Sequence, residues 1–244
     1  MIDGLRSLGW LLILTVWHGL RVSVAALIGV PDRLGGFYDQ ELRRWARRLL
    51  EVTVLPVETR GLEHLAPDGA YVYAANHASF VDVWVLVGRL PGSVRFVAKQ
   101  ELLRVPLFGA AIRATGQIPV DRKSRNAAER SYDAAAQSLR SGRSVIVFVE
   151  GTRSPDGRLG EFKKGAFVLA IEARAPLVPV YLGGTHEAMP RGGLWLRRRP
   201  VTLVVGEPIP TDGLAYADRD TLLARVREWF LAEERAVDGA RRDE

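Results

Sequence analysis

The chain predicts an α/β fold, a mostly parallel sheet flanked by helices. Three observations carry this. From about residue 52, short β-rich runs alternate with helical segments. Hydrophobic residues make up 48% and charged residues 25% of the 244, a globular balance with enough material for one domain and its core. The segments richest in polar chemistry each follow a strand, where an open parallel sheet builds its site.

In chain order, residues 8–30 come first and are unusually apolar. As a helix they would span about 35 Å, enough to cross a bilayer. His18 and Arg21 fall near the middle, where an arginine costs on the order of 3 kcal/mol. Two half-length apolar pieces dipping into one leaflet are therefore expected; a signal peptide and a core-packed helix are the alternatives. Residues 37–50 form an amphipathic helix with Arg43, Arg44, Arg47 and Arg48 clustered, suited to an anionic membrane surface or to a plain solvated face.

The predicted strands are Val52–Glu58, Tyr71–Ala75, Val94–Ala98, Gln117–Val120, Ser144–Val149, Leu177–Leu182 and Val201–Val205. The predicted helices are Asp82–Leu90, Pro106–Ala114, Arg125–Arg140, Lys164–Arg174 and Arg219–Val237. The organisation expected is a membrane-associated helical segment at 1–50, an α/β domain at 51–237 and a polar tail at 238–244.

The formal net charge is +6, and arginine supplies most of the cation, since only Lys99, Lys123, Lys163 and Lys164 are lysines. An arginine excess suits phosphates. Aromatics are few and no basic-aromatic array suggests base stacking, so no nucleic-acid partner is expected. The absence of cysteine removes disulfides, thiolate metal sites and a Cys–His nucleophile. The histidines are His18, His64, His77 and His186, with no H-E-x-x-H, so no metal site is expected. Phosphate-loop, dinucleotide and nucleophile-elbow motifs are absent, against a nucleotide hydrolase, a dinucleotide enzyme or an α/β-hydrolase esterase.

The most informative stretch is NHASFVD at 76–82. A base that takes a proton from a hydroxyl near neutral pH is usually histidine, and a carboxylate on its other nitrogen fixes the tautomer. Residues five apart lie about 140° apart on one helix. His77 and Asp82 therefore meet only if His77 sits on the turn before the helix and Asp82 in its first turn. The alternative is a helix start, since Ser79-x-x-Asp82 also fits a capping box. FVEGTRS at 148–154 leaves a second strand: Gly151 allows close backbone approach, Thr152 offers a hydroxyl and Arg153 can grip a phosphate. Glu150 would pair with an arginine or hold a substrate hydroxyl; an ordinary strand exit with a surface ion pair is the other reading. GQIPVDR at 116–122 ends in Asp121-Arg122, and KQEL brings Lys99 to the same rim. The stretch RGGLWLRRRP at 191–200 reads equally as a membrane or carrier contact and as a solvated hairpin.

In this order the blocks NHASFVD, KQEL with GQIPVDR, FVEGTRS and VPV (178–180) resemble the 1-acylglycerol-3-phosphate acyltransferase family, within the glycerolipid acyltransferases. They cover about residues 70–185. Val149, where the family usually has proline, and Pro119 inside the second block are departures that keep the chain extended. The resemblance implies an acyltransferase sandwich. In it His77 would be the base, Asp82 its orienting acid and Lys99 an oxyanion support, while Arg122, Glu150, Gly151, Thr152 and Arg153 would bind the substrate phosphate. It implies an acyl-CoA or acyl carrier protein donor, a lysolipid acceptor, phosphatidic acid as product and neither metal nor cofactor. The site would face the cytoplasm on a cell inner membrane. Another lysolipid acceptor, a silent lipid-binding relative and an acyl hydrolase are the competing readings.

Overall fold

A computed structural model describes residues 2–120, 125–193 and 195–242. Two helices, α1 (Ile2–Leu27) and α2 (Phe37–Thr53), precede a seven-stranded sheet. Along the chain follow β1 (Val57–Arg60), β2 (Val72–Ala75), α3 (Val81–Arg89), β3 (Val94–Lys99) and α4 (Phe108–Ala114). Then come β4 (Ile118–Val120), α5 (Arg125–Arg140), β5 (Ser144–Phe148), α6 (Gly165–Ala173) and β6 (Leu177–Gly183). A short α7 (Thr185–Ala188), β7 (Val201–Val205) and α8 (Arg219–Arg242) complete the chain.

The strand order is β1-β7-β6-β2-β5-β3-β4, and only the β6/β7 pair is antiparallel. Burial on both faces explains why β2 and β6 read as nearly unbroken apolar runs. In β2, Tyr73 and Ala75 face a core shared with Leu49 of α2 and Trp84 and Leu86 of α3. Val72 and Ala74 face the other core, with Ala135 of α5, Phe167 and Ala170 of α6, and Val226 and Phe230 of α8. Placing β2 at the sheet's middle puts the residues that follow it between the ends of β5 and β6.

The N-terminal region departs from expectation. Residues 8–27 belong to one continuous helix, not two broken pieces. The polar residues that suggested a break are met by Glu41 of α2, itself 1% exposed: His18 Nδ1 lies 2.8 Å from Oε2, and Arg21 donates to both carboxylate oxygens at 3.0 and 3.1 Å. Arg44 pairs with the same group. The arginine cluster of α2 is not a uniform headgroup face either. Arg43 donates to the carbonyls of Val87, Leu90 and Gly92, and Arg47 to Gly88, so both cap the carboxyl end of α3. Arg44, Arg47 and Arg48 all keep exposed side chains, and of the four Arg48 makes only a loose pair, with Glu51 at 3.6 Å.

The strand expected at Val52–Glu58 starts late, because α2 runs on to Thr53 and ends at Val54 in the left-handed region (φ 49°). On the outer face of α1, Trp10, Ile13, Trp17, Leu20, Val24 and Leu27 are exposed at helical spacing. Leu8–Leu27 is the one stretch, among the described residues, long and apolar enough to cross a membrane. The opposite face packs on α2 and α4, where Gly19 lets the Leu107 side chain come close.

Candidate active site

β2 ends at Ala75, and the chain turns at once to enter α3. Asn76 holds this exit against β6: its Nδ2 donates to Leu182 O at 2.9 Å, and its Oδ1 accepts Leu182 N–H at 2.7 Å. A side-chain amide thus continues the ladder where the strands diverge, and His77 emerges at a fixed height.

His77 Nδ1 then lies 2.7 Å from Asp82 Oδ2. The same oxygen accepts the backbone N–H groups of Ala78 and Ser79, each at 2.8 Å. Ser79 Oγ in turn accepts the N–H of Val81 at 3.2 Å. The helix-start and imidazole-orienting readings are therefore not alternatives, since one fully buried carboxylate does both. Its position in the first turn of α3 places the negative charge where the helix dipole favours it. With Nδ1 committed to Asp82, Nε2 is the nitrogen left for a reacting group. The His77 ring stacks on Phe148 of β5 (centroids 3.7 Å apart, 12° between planes), which fixes the plane of the imidazole.

The loop after β5 clasps His77 from both sides. Glu150 Oε2 accepts the His77 N–H at 2.8 Å, and Ser154 N–H donates to His77 O at 2.7 Å. Glu150 Oε1 accepts the Gly160 N–H at 2.7 Å. Both its oxygens are thereby taken up by backbone amides, neither by an arginine. Burial pushes the Glu150 carboxyl above its ordinary range, and the two amide hydrogen bonds and the neighbouring His77 oppose that rise. Gly151 adopts φ 72°, which closes a tight turn with its N–H on Phe148 O at 3.0 Å. Thr152 is exposed on the rim.

Arg153 leans over the site's edge, its guanidinium carbon 4.1 Å from the centroid of the Phe80 ring. Its pKa lies below the ordinary arginine value, first through burial and then through the charge of Arg191. Lys99, at the end of β3, stands two strands from β2, and its 61% exposed side chain pairs with Glu101 at 3.5 Å. Arg122 falls outside the described residues. The site thus brings together His77, Asp82, Glu150, Gly151, Thr152 and Arg153, while Lys99 turns to solvent. Sequence reasoning did not single out Phe80, Phe148 or Ser154, and read Arg191 only as the start of the 191–200 stretch, a membrane or carrier contact or a solvated hairpin. Phe80, Phe148 and Ser154 sit inside the recognised blocks, but nothing in spacing announced a ring stacked on His77.

An imidazole with a buried carboxylate on one nitrogen and the other nitrogen left for a reacting group can take a proton from a hydroxyl. The Acyltransferase family profile matches residues 56–183. The coconut (Cocos nucifera) 1-acyl-sn-glycerol-3-phosphate acyltransferase is 33% identical over 81% of this chain and 63% of its own length. The human 1-acyl-sn-glycerol-3-phosphate acyltransferase alpha is 32% identical over 94% of this chain and 79% of its own. The chloroplastic counterparts from Brassica napus and Arabidopsis thaliana are each 37% identical, and the chain spans only 59% and 54% of their lengths. The crystal structure of the 1-acyl-sn-glycerophosphate (LPA) acyltransferase from Thermotoga maritima superposes with a TM-score of 0.79. It is 26% identical and covers 98% of this chain and 97% of its own. The chain belongs to the Acyltransferase family.

Proposed function

We propose that the protein transfers an acyl chain from an acyl-thioester donor, acyl-CoA or acyl carrier protein, to the 2-hydroxyl of 1-acylglycerol 3-phosphate, giving phosphatidic acid. The observation that carries this reading is the 2.7 Å contact between His77 Nδ1 and buried Asp82, with Arg153 on the same rim. The relatives' names supply the substrate class.

In this mechanism His77 Nε2 takes the proton of the 2-hydroxyl as its oxygen attacks the thioester carbonyl. The new ester C–O bond forms, the C–S bond breaks, and the proton passes from the imidazolium to the departing thiolate. Asp82 holds the tautomer and stabilises the imidazolium. Arg153 and Arg122 bind the acceptor phosphate, with Gly151 and Thr152 shaping the turn beside it. Glu150 supports the site through the His77 amide, not through the phosphate. Lys99, paired with Glu101 at 3.5 Å and turned to solvent, is given no part in these steps. No metal or other cofactor enters these steps. The exposed stripe of α1 docks on a membrane, so the acceptor arrives laterally from one leaflet; thioester donors place the site on the cytoplasmic face of a cell inner membrane.

The test is a panel of lysolipid acceptors with labelled acyl-thioester donors, run on the wild type and His77→Ala. Expected are transfer to 1-acylglycerol 3-phosphate and a loss in turnover of about 10²–10⁴ for His77→Ala with an unchanged melting curve. Wild-type release of free fatty acid without esterified product would overturn the reading, as would full activity in His77→Ala.

A further inference from the structure

We propose that Arg191 completes the acceptor-headgroup site with Arg153 and selects a dianionic phosphate monoester over a monoanionic phosphodiester. This deepens, and rests on, the acyl-transfer reading. Arg191 lies outside the recognised sequence blocks, in the connection between α7 and β7. The fold nevertheless brings it against the loop that carries Arg153. Ser79 Oγ, two residues from His77, donates to Met189 O at 2.7 Å. Gly193 N–H closes a turn on Pro190 O at 2.9 Å, and Arg197 N–H donates to Ala188 O at 2.8 Å. Between these anchors Arg191 Nη1 reaches Arg153 O at 3.3 Å.

Two guanidinium-bearing residues thus share one rim. Among the described residues neither is in a salt bridge with a carboxylate, whereas Arg21, Arg44, Arg95 and Arg143 each are. The nearby acid, Asp82, has one oxygen already shared among His77, Ala78 and Ser79. Adjacent like charges repel, and the repulsion is relieved most by a ligand carrying two negative charges. A phosphate monoester has a second pKa of about 6, so it is largely dianionic at neutral pH, whereas a phosphodiester carries a single charge. Each guanidinium also offers paired N–H donors to such a group. Arg153 packs over the Phe80 ring, and Arg191, held against the Arg153 carbonyl, supplies the second set of donors.

The full-length protein, its Arg191→Gln and its Arg191→Lys variants are compared in two measurements. Calorimetric titration with sn-glycerol 3-phosphate reads the headgroup site without turnover; binding is expected to weaken about tenfold in Arg191→Gln and to recover in part in Arg191→Lys. Steady-state assays with an acyl-CoA donor compare 1-acylglycerol 3-phosphate with lysophosphatidylglycerol. The acceptor KM for the monoester should rise about tenfold in Arg191→Gln, with kcat within about twofold, an unchanged donor KM and lost discrimination against the diester. An unchanged acceptor KM, a rise in donor KM in its place, or absence of sn-glycerol 3-phosphate binding by the wild type overturns the proposal. Arg191-dependent binding in a protein that transfers no acyl chain keeps the headgroup site and overturns the transferase reading alone.

Discussion

Glu150 Oε2 accepts the backbone N–H of His77 at 2.8 Å, so two adjacent parallel strands, β2 and β5, are bolted together at the residue that carries the imidazole. Its other oxygen holds Gly160, which folds the loop back over the site. Glutamine in this place can accept from one of these amides but must present its own N–H to the other. Glu150→Gln is expected to cost about 1–3 kcal/mol in stability, measured by urea unfolding. It should also lower kcat more than the acceptor KM, because the height of His77 shifts while the arginines do not. A Glu150→Gln protein with wild-type kcat would show that the clasp has no part in positioning.

Asp82→Asn separates the two duties of this residue. The amide oxygen can still accept the N–H groups of Ala78 and Ser79, so α3 keeps its start and the fold survives. A neutral partner stabilises the imidazolium far less and no longer fixes which nitrogen holds the proton. Turnover should therefore fall by about 10²–10⁴ with a melting temperature near wild type. An equal loss of stability and activity would assign Asp82 to the helix start alone.

The apolar stripe of α1 predicts membrane docking that can be removed without unfolding. Ile13 and Leu20 face away from α2 and α4, so glutamate at both leaves the packed face alone. Each loss of apolar burial is worth about 2 kcal/mol. The double variant should bind anionic phospholipid vesicles on the order of 10³-fold more weakly in a sedimentation assay. Undiminished vesicle binding would place the contact elsewhere, with the exposed Trp195 region as the alternative.

Much of this fold was legible because its signals are local. The apolar runs that became β2 to β7 lie within a residue or two of their expected ends, and α5 and β7 match in full. The pairing of His77 with Asp82 was also readable, since a turn followed by a helix start brings residues five apart together. What failed depends on contacts distant in sequence. Val52-Thr53-Val54 looks like a strand by side-chain branching. Yet Leu49, Leu50 and Thr53 share one buried helical face, and Thr53 Oγ1 donates to Leu49 O at 2.6 Å. His18 and Arg21 looked like interruptions because their acid, Glu41, lies 23 and 20 residues away. Glu150 looked like a partner for substrate because nothing in the sequence reveals the two amides it receives.

Glu41 carries a prediction of definite sign. Burial alone would push its carboxyl up, but hydrogen bonds from Arg21, His18 and Arg44 outweigh that and hold it below the ordinary value of 4.5. A carboxyl with a lower pKa folded than unfolded binds fewer protons in the native state. Its stabilising contribution is therefore complete above about pH 4.5 and is lost as pH falls through the folded pKa. Glu150 has the opposite sign: its raised pKa makes its ionised form a cost that acidification relieves. Glu41→Gln should lower stability at pH 7 by roughly 2 kcal/mol, loosening α1 from α2 by leaving His18 and Arg21 without their anion. It should also flatten the acid side of the melting-temperature profile, whereas Glu150→Gln should steepen it. Thermal melts between pH 3 and 8 on the two variants decide this, and a Glu41→Gln profile parallel to wild type would show that the hub does not tie the apolar helix to the domain.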